Sequence, residues 1–156
     1  MIINTSNAFL IIKTINKLEM KKDIMTAYAK ITKINKDIKE NNIKLRDLVL
    51  KENEDYFSLE EKKQEEINIK VLKNNIKLGK SISDLQTEQE QCGLDLLFAF
   101  LEKLPKAEKE VYSTLAKIYD KEAAEIEKQD IDKTIEMIKE IAKSESIQKL
   151  FTLAAK

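Results

Sequence analysis

The chain has no His, no Trp, one Cys, two Gly and one Pro in 156 residues. Each scarcity removes a class of chemistry. Without His, the commonest general base and metal ligand is missing, and neither a Ser-His-Asp nor a Cys-His nucleophilic arrangement can be built. A lone Cys92 can form no intrachain disulfide and no thiolate zinc cage. It reads as a small buried hydrophobe in a reducing compartment. Gly79 and Gly93 are isolated, so no glycine-rich phosphate loop exists. Long apolar runs are absent too. Residues 8–12 are apolar, but Lys13 ends them, far short of the roughly 20 residues that span a bilayer. No membrane partner and a cytoplasmic location are therefore expected.

What is there is Lys, Glu and Ile. Basic and acidic residues balance at 28 each, which argues against a partner held by phosphate neutralisation, and no nucleic acid is expected. Hydrophobic residues make up 42%, enough for a packed core. Acidic pairs such as Glu60-Glu61, Glu65-Glu66 and Asp130-Asp132 have Lys within about a turn and read as solvated helix surface, so no metal and no cofactor is expected. No catalytic residue is nominated, and the chain is expected not to be an enzyme.

Helical spacing runs through nearly every window, so the expected fold class is all-α: a long antiparallel helical hairpin plus a compact bundle of short helices. Residues 1–22 read as an N-terminal helix packing on the C-terminal bundle, with Thr5 or Ser6 as N-cap and Ala8, Ile11, Ile12, Ile15 and Leu18 at helical spacing. Residues 23–91 read as a charged, coiled-coil-like hairpin. One seam runs through Ile24, Ala27, Ile31, Ile34, Ile38, Asn41, Leu45 and Leu48. The other follows a Ser58/Glu61 capping box, through Ile67, Val71, Asn74, Leu78, Ser81 and Leu85. Setting Leu48 opposite Ile67 brings Asn41 and Asn74 into one layer. Gly79 is expected to mark a bend or a close contact.

Residues 92–156 read as a bundle of short helices, with a break at Gly93. Leu94, Leu97, Phe98, Leu101 and Leu104 make one stripe; Leu96 and Phe100 make another. A helix apolar on two faces has two faces to bury. Pro105 suits the first turn of a helix through Val111, Leu115 and Ile118. Asp120 and Asp130 are expected to cap the next two helices, the second facing inward with Ile131, Thr134, Ile135, Ile138 and Ala142. Ser144 or Ser146 starts the last, with Ile147, Leu150, Phe151 and Ala154. The expected partner-binding residues are Leu96, Phe100, Tyr112, Tyr119, Leu150 and Phe151. Whether a groove stays open there or the N-terminal helix covers one stripe is undecided at this point. Self-association of the chain is equally open.

Residues 9–24 resemble the opening helix and exit turn of phage tail assembly chaperones. Residues 94–97, 107–116 and 126–132 are similar to the same family. So are the closing runs 135–141 and 150–154, an Ile-Lys-Glu-Ile helix and a Phe-containing tail. The long hairpin departs from the compact versions of that family; it would be an insertion, or the chain would be a divergent branch. The resemblance implies a non-enzymatic chaperone of a tailed phage or prophage. It would bind the tape measure protein in the host cytoplasm, keep that long helical chain soluble and help tail-tube subunits gather on it. The alternative is a helical adaptor or coiled-coil scaffold of another intracellular system.

Overall fold

The structure, a computed structural model, describes residues 3–154. Among them every regular element is helical and there is no strand. The fold is all-α. In chain order the helices are α1 (Thr5–Lys17), α2 (Lys21–Glu52), α3 (Glu61–Asn74), α4 (Ile76–Lys103), α5 (Glu108–Tyr119), α6 (Ala123–Lys128), α7 (Ile131–Lys143) and α8 (Glu145–Ala154). Single 3₁₀ turns at Tyr56–Ser58 and Leu104–Lys106 join α2 to α3 and α4 to α5. The chain divides into two compact units: Met1–Tyr28 with Asp95–Lys156, and Ala29–Leu94.

The first unit is organised on α5, which buries Val111, Thr114, Leu115, Ala116 and Ile118. Ile11, Leu18 and Met20 join them from the N-terminal segment, and Ile126, Met137, Ile141 and Ile147 from α6, α7 and α8. Each such aliphatic side chain contributes about 1.5–3 kcal/mol on burial. Asn4 caps α1, its side chain accepting from the Asn7 N–H at 2.9 Å. Thr5 and Ser6 lie inside the first turn. α1 ends in a Schellman turn: Met20 N–H donates to Ile15 O and Glu19 N–H to Asn16 O, both at 3.1 Å. Glu19 holds the left-handed position there, φ 56°.

Several expected features differ from the structure. α4 runs through Gly93 without a break, because the apolar residues after it have their own core to pack on. Pro105 sits in the 3₁₀ turn ahead of α5, not in its first turn. Asp120 ends α5 in a left-handed conformation, φ 53°, and Glu122 precedes α6. Asp130 does precede α7, but its carboxylate takes Lys133 at 3.1 Å instead of a backbone N–H. α7 buries Thr134, Met137 and Ile141, leaving Ile131 and Ala142 exposed. Its apolar arc is wider than the core accepts, and Gln129 fixes the choice by donating to Thr134 Oγ1 at 2.8 Å and to Met137 Sδ at 3.3 Å. Ser144 Oγ accepts from Ile147 N–H at 3.4 Å at the start of α8. The side chain of Ala154 lies outside the described residues.

In the second unit α2 pairs with α3 and α4 in opposite directions. Glu52 meets Lys70, Asn41 Nδ2 donates to Ser81 Oγ at 2.8 Å, and Gln89 Nε2 donates to Asn35 Oδ1 at 3.1 Å. Partner numbers climb as α2 numbers fall, which is antiparallel. Val49, Tyr56 and Val71 form the small core at the turn, flanked by Leu45, Leu48, Leu50 and Ile67. The expected Asn41–Asn74 layer does not form. Asn74 is exposed, and Asn75 breaks the second helix at φ −124°, ψ 60°. The Asn75 side-chain amide donates back to Val71 O at 2.9 Å, offering the backbone an alternative to the helix. Gly79 lies beyond that break, and a Cβ there would make only ordinary contact with Leu72 at 3.7–3.9 Å. The Ser58/Glu61 capping box is also absent: Ser58 Oγ donates to Asp55 O, and two extended residues separate it from α3.

Candidate partner-binding surface

The six side chains nominated from the sequence are all half-buried, and all pack against the core of the first unit. Leu96 and Phe100 are on the core side of α4. The Tyr112 hydroxyl donates to Glu108 Oε1 at 2.8 Å, and that bond holds its phenol above the ordinary tyrosine range. The Tyr119 hydroxyl reaches Met137 O at 2.9 Å and Glu140 Oε2 at 2.8 Å. Burial, then the Glu140 carboxylate, push its pKa well up. Phe151 lies 6.0 Å from the Tyr28 ring, inclined at 47°, and the Tyr28 and Thr152 hydroxyls are 2.8 Å apart. These six residues tie helices together.

The large apolar side chains that face outward are different ones. Phe98 on α4 is 61% exposed and Leu94 is 48% exposed. They are four residues apart, neighbours on one helix face. Leu97 and Leu101 border them, half-buried. Leu104, expected on the same stripe, packs with Leu96 and Phe100 on the core side. Phe9 and Ile12 are exposed on α1, Ile131 on α7 and Leu153 on α8. In the second unit Phe57 is exposed in the turn, edge-on to buried Tyr56, with the guanidinium of Arg46 5.3 Å from its ring centre. Ile43 lies one turn before Arg46 and is exposed too.

Both stripes of α4 are visible in the sequence; the pair nominated there for contact, Leu96 and Phe100, packs against the core, while Leu94 and Phe98 face outward. The pairs Leu94/Phe98 and Leu96/Phe100 have the same composition and the same four-residue spacing. Which of them meets the core depends on where the neighbouring helices lie, and periodicity does not encode that.

A polar cluster fixes the α1–α2 turn. Lys106 Nζ donates to the Glu19 carboxylate at 2.7 Å and lowers its pKa; Lys103 Nζ donates to Glu19 O at 3.1 Å and also pairs with Asp23. Lys17 pairs with Glu110 nearby and lowers the pKa of that carboxyl. The adjoining hollow, lined by Asn16, Glu19, Lys21, Lys22 and Met25, is shallow and open. Among the described residues no group of three or more His, Cys, Asp or Glu could hold a metal ion. No described helix is long and apolar enough to cross a membrane. Compared with protein-family models, with curated proteins and with solved structures, the chain matches none.

Proposed function

We propose that this chain is a non-enzymatic binding protein for a partner's amphipathic helix, and that it serves as a phage or prophage tail assembly chaperone acting on a tape measure protein in the host cytoplasm. What supports the binding role is the two-sided apolar segment of α4, where Leu96, Ala99, Phe100 and Leu104 meet the core while Leu94 and Phe98 face outward. An apolar helix face of this kind fits helix-on-helix recognition. What supports the tail-assembly role is the sequence resemblance of residues 9–24 and of the closing helices. The test is co-expression of the full chain with a tape measure protein encoded beside it. A rise in the partner's soluble fraction and joint purification support the role; unchanged solubility with no complex contradicts it.

A second reading, a helical adaptor or scaffold, is favoured by one observation: exposed Phe57 and Ile43 flank Arg46 in the second unit. Under that reading, Ile43→Ser with Phe57→Ser abolishes capture of the partner and Leu94→Ser with Phe98→Ser does not.

A further inference from the structure

We propose that the outward face of α4, the ridge of Leu94, Leu97, Phe98 and Leu101 between Glu90 and Glu102, docks a partner helix that carries Lys or Arg on both sides of an apolar stripe. This rests on the binding role above and names the surface and the chemistry of the partner. The ridge is defined on α4 alone, by spacings of three and four.

Along α4 itself the charge beside the ridge has one sign. Between Lys80 and Lys103 there is no Lys or Arg, the longest such gap in a chain that holds 28 of them. The same stretch carries Asp84, Glu88, Glu90, Asp95 and Glu102. Glu88 is engaged by Lys30 at 3.4 Å, but Glu90 and Glu102, at the two ends of the ridge, are exposed. An apolar strip in an acidic surround attracts a basic amphipathic helix and repels an acidic one. An anionic lipid surface is repelled for the same reason.

Gly93 adds a second observation. It sits in mid-helix, one turn before Leu97, where glycine weakens a helix. Its own chain does not require it, because a Cβ there would meet nothing within 4 Å. A notch beside an apolar ridge lets a partner backbone approach closely.

The test uses the full chain and a fluorescent Leu/Lys amphipathic helical peptide of about five turns, with a Leu/Glu peptide of the same pattern as control. The Leu/Lys peptide is expected to bind and the Leu/Glu peptide not to bind. Leu94→Ser with Phe98→Ser is expected to weaken binding about tenfold or more with an unchanged circular dichroism spectrum. Gly93→Gln is expected to raise the thermal midpoint and still weaken binding, which a purely structural glycine would not do. Equal binding of both peptides, or full binding by the Leu94/Phe98 double variant, overturns the proposal. So does a dimer of the parent chain that Phe98→Ser dissociates, since a second copy would then be the occupant. If the double variant still solubilises the tape measure partner, this surface fails and the chaperone role stands. If the peptide binds at the ridge and the parent solubilises no partner, the surface stands and the chaperone role fails.

Discussion

The hydroxyls of Thr14 on α1 and Thr114 on α5 meet at 2.8 Å inside the core of the first unit. Both side chains are buried, so each oxygen depends on the other for a partner that water would otherwise supply. Thr14→Val alone strands Thr114 and should cost about 1–3 kcal/mol in urea unfolding. Thr14→Val with Thr114→Val removes both polar groups and should recover most of that loss. A double variant less stable than the sum of the single changes would contradict the pairing.

The second unit makes a comparable claim for Asn41. It is 7% exposed and bonded to Ser81, whereas Asn74 is exposed. Asn41→Leu should therefore lower stability by about 0.5–1.5 kcal/mol, the net worth of a hydrogen bond. Asn74→Leu should leave the urea midpoint nearly unchanged. A large loss from Asn74→Leu would restore the layer expected from the heptad count.

The comparison shows what heptad counting can and cannot reach. Ala27, Ile34 and Asn41 are buried at a strict seven-residue interval, as the seam predicts. The pattern then shifts to Val49, one residue past the expected Leu48. The register across the pair was out of reach because it is set by the turn. Asn53 to Glu60 form a 3₁₀ turn and an extended exit, and Asn75 ends α3 early. In both places a short polar side chain chooses between helix and its own backbone, Ser58 onto Asp55 O and Asn75 onto Val71 O. Those choices are decided by a fraction of the energy that burying Val49 supplies. The all-α class was legible from spacing alone. The outward side of α4 was not, because Leu94/Phe98 and Leu96/Phe100 are equivalent until the neighbouring helices are placed.

Among the described residues two non-glycine residues, Glu19 and Asp120, occupy the left-handed region, and they should respond differently to glycine. Asp120→Gly relieves the Cβ penalty at φ 53° and should stabilise the chain by about 0.5–1 kcal/mol. Glu19→Gly relieves the same strain at φ 56° but loses the Lys106 ion pair, so its gain should be smaller. Glu19→Val, β-branched at positive φ, should be the least stable of these variants. Thermal midpoints in one buffer give the order.

Stability should fall at alkaline pH through Tyr119. Burial and Glu140 raise its folded pKa above the unfolded value of about 10. The folded state thus holds this proton more tightly. Its contribution is complete below the unfolded pKa and is lost as pH rises above it toward the folded value. Tyr119→Phe should flatten that alkaline decline. It should also cost about 1 kcal/mol at neutral pH from the lost bond to Met137 O or Glu140. An identical alkaline decline in parent and variant would assign the effect to other groups.

The acid side has the opposite sign. Lys106 and Lys17 lower the pKa of Glu19 and Glu110. The stabilisation is present above the unfolded carboxylate pKa and disappears as pH falls through the lowered folded values. Both carboxylates are exposed to screening, so 1 M salt should shrink the acid-side slope. A slope unaffected by salt would place its origin in buried groups instead.

The most direct measurement is methyl NMR on the full chain with leucine methyls labelled, titrated with the Leu/Lys amphipathic peptide. Leu94, Leu97 and Leu101 should shift together and saturate at one peptide concentration, while Leu115 in the core and Leu45 and Leu48 in the second unit stay in place. Shifts confined to Leu45, Leu48 and Leu50, or no saturable shift at Leu94, would contradict helix recognition by the outward face of α4.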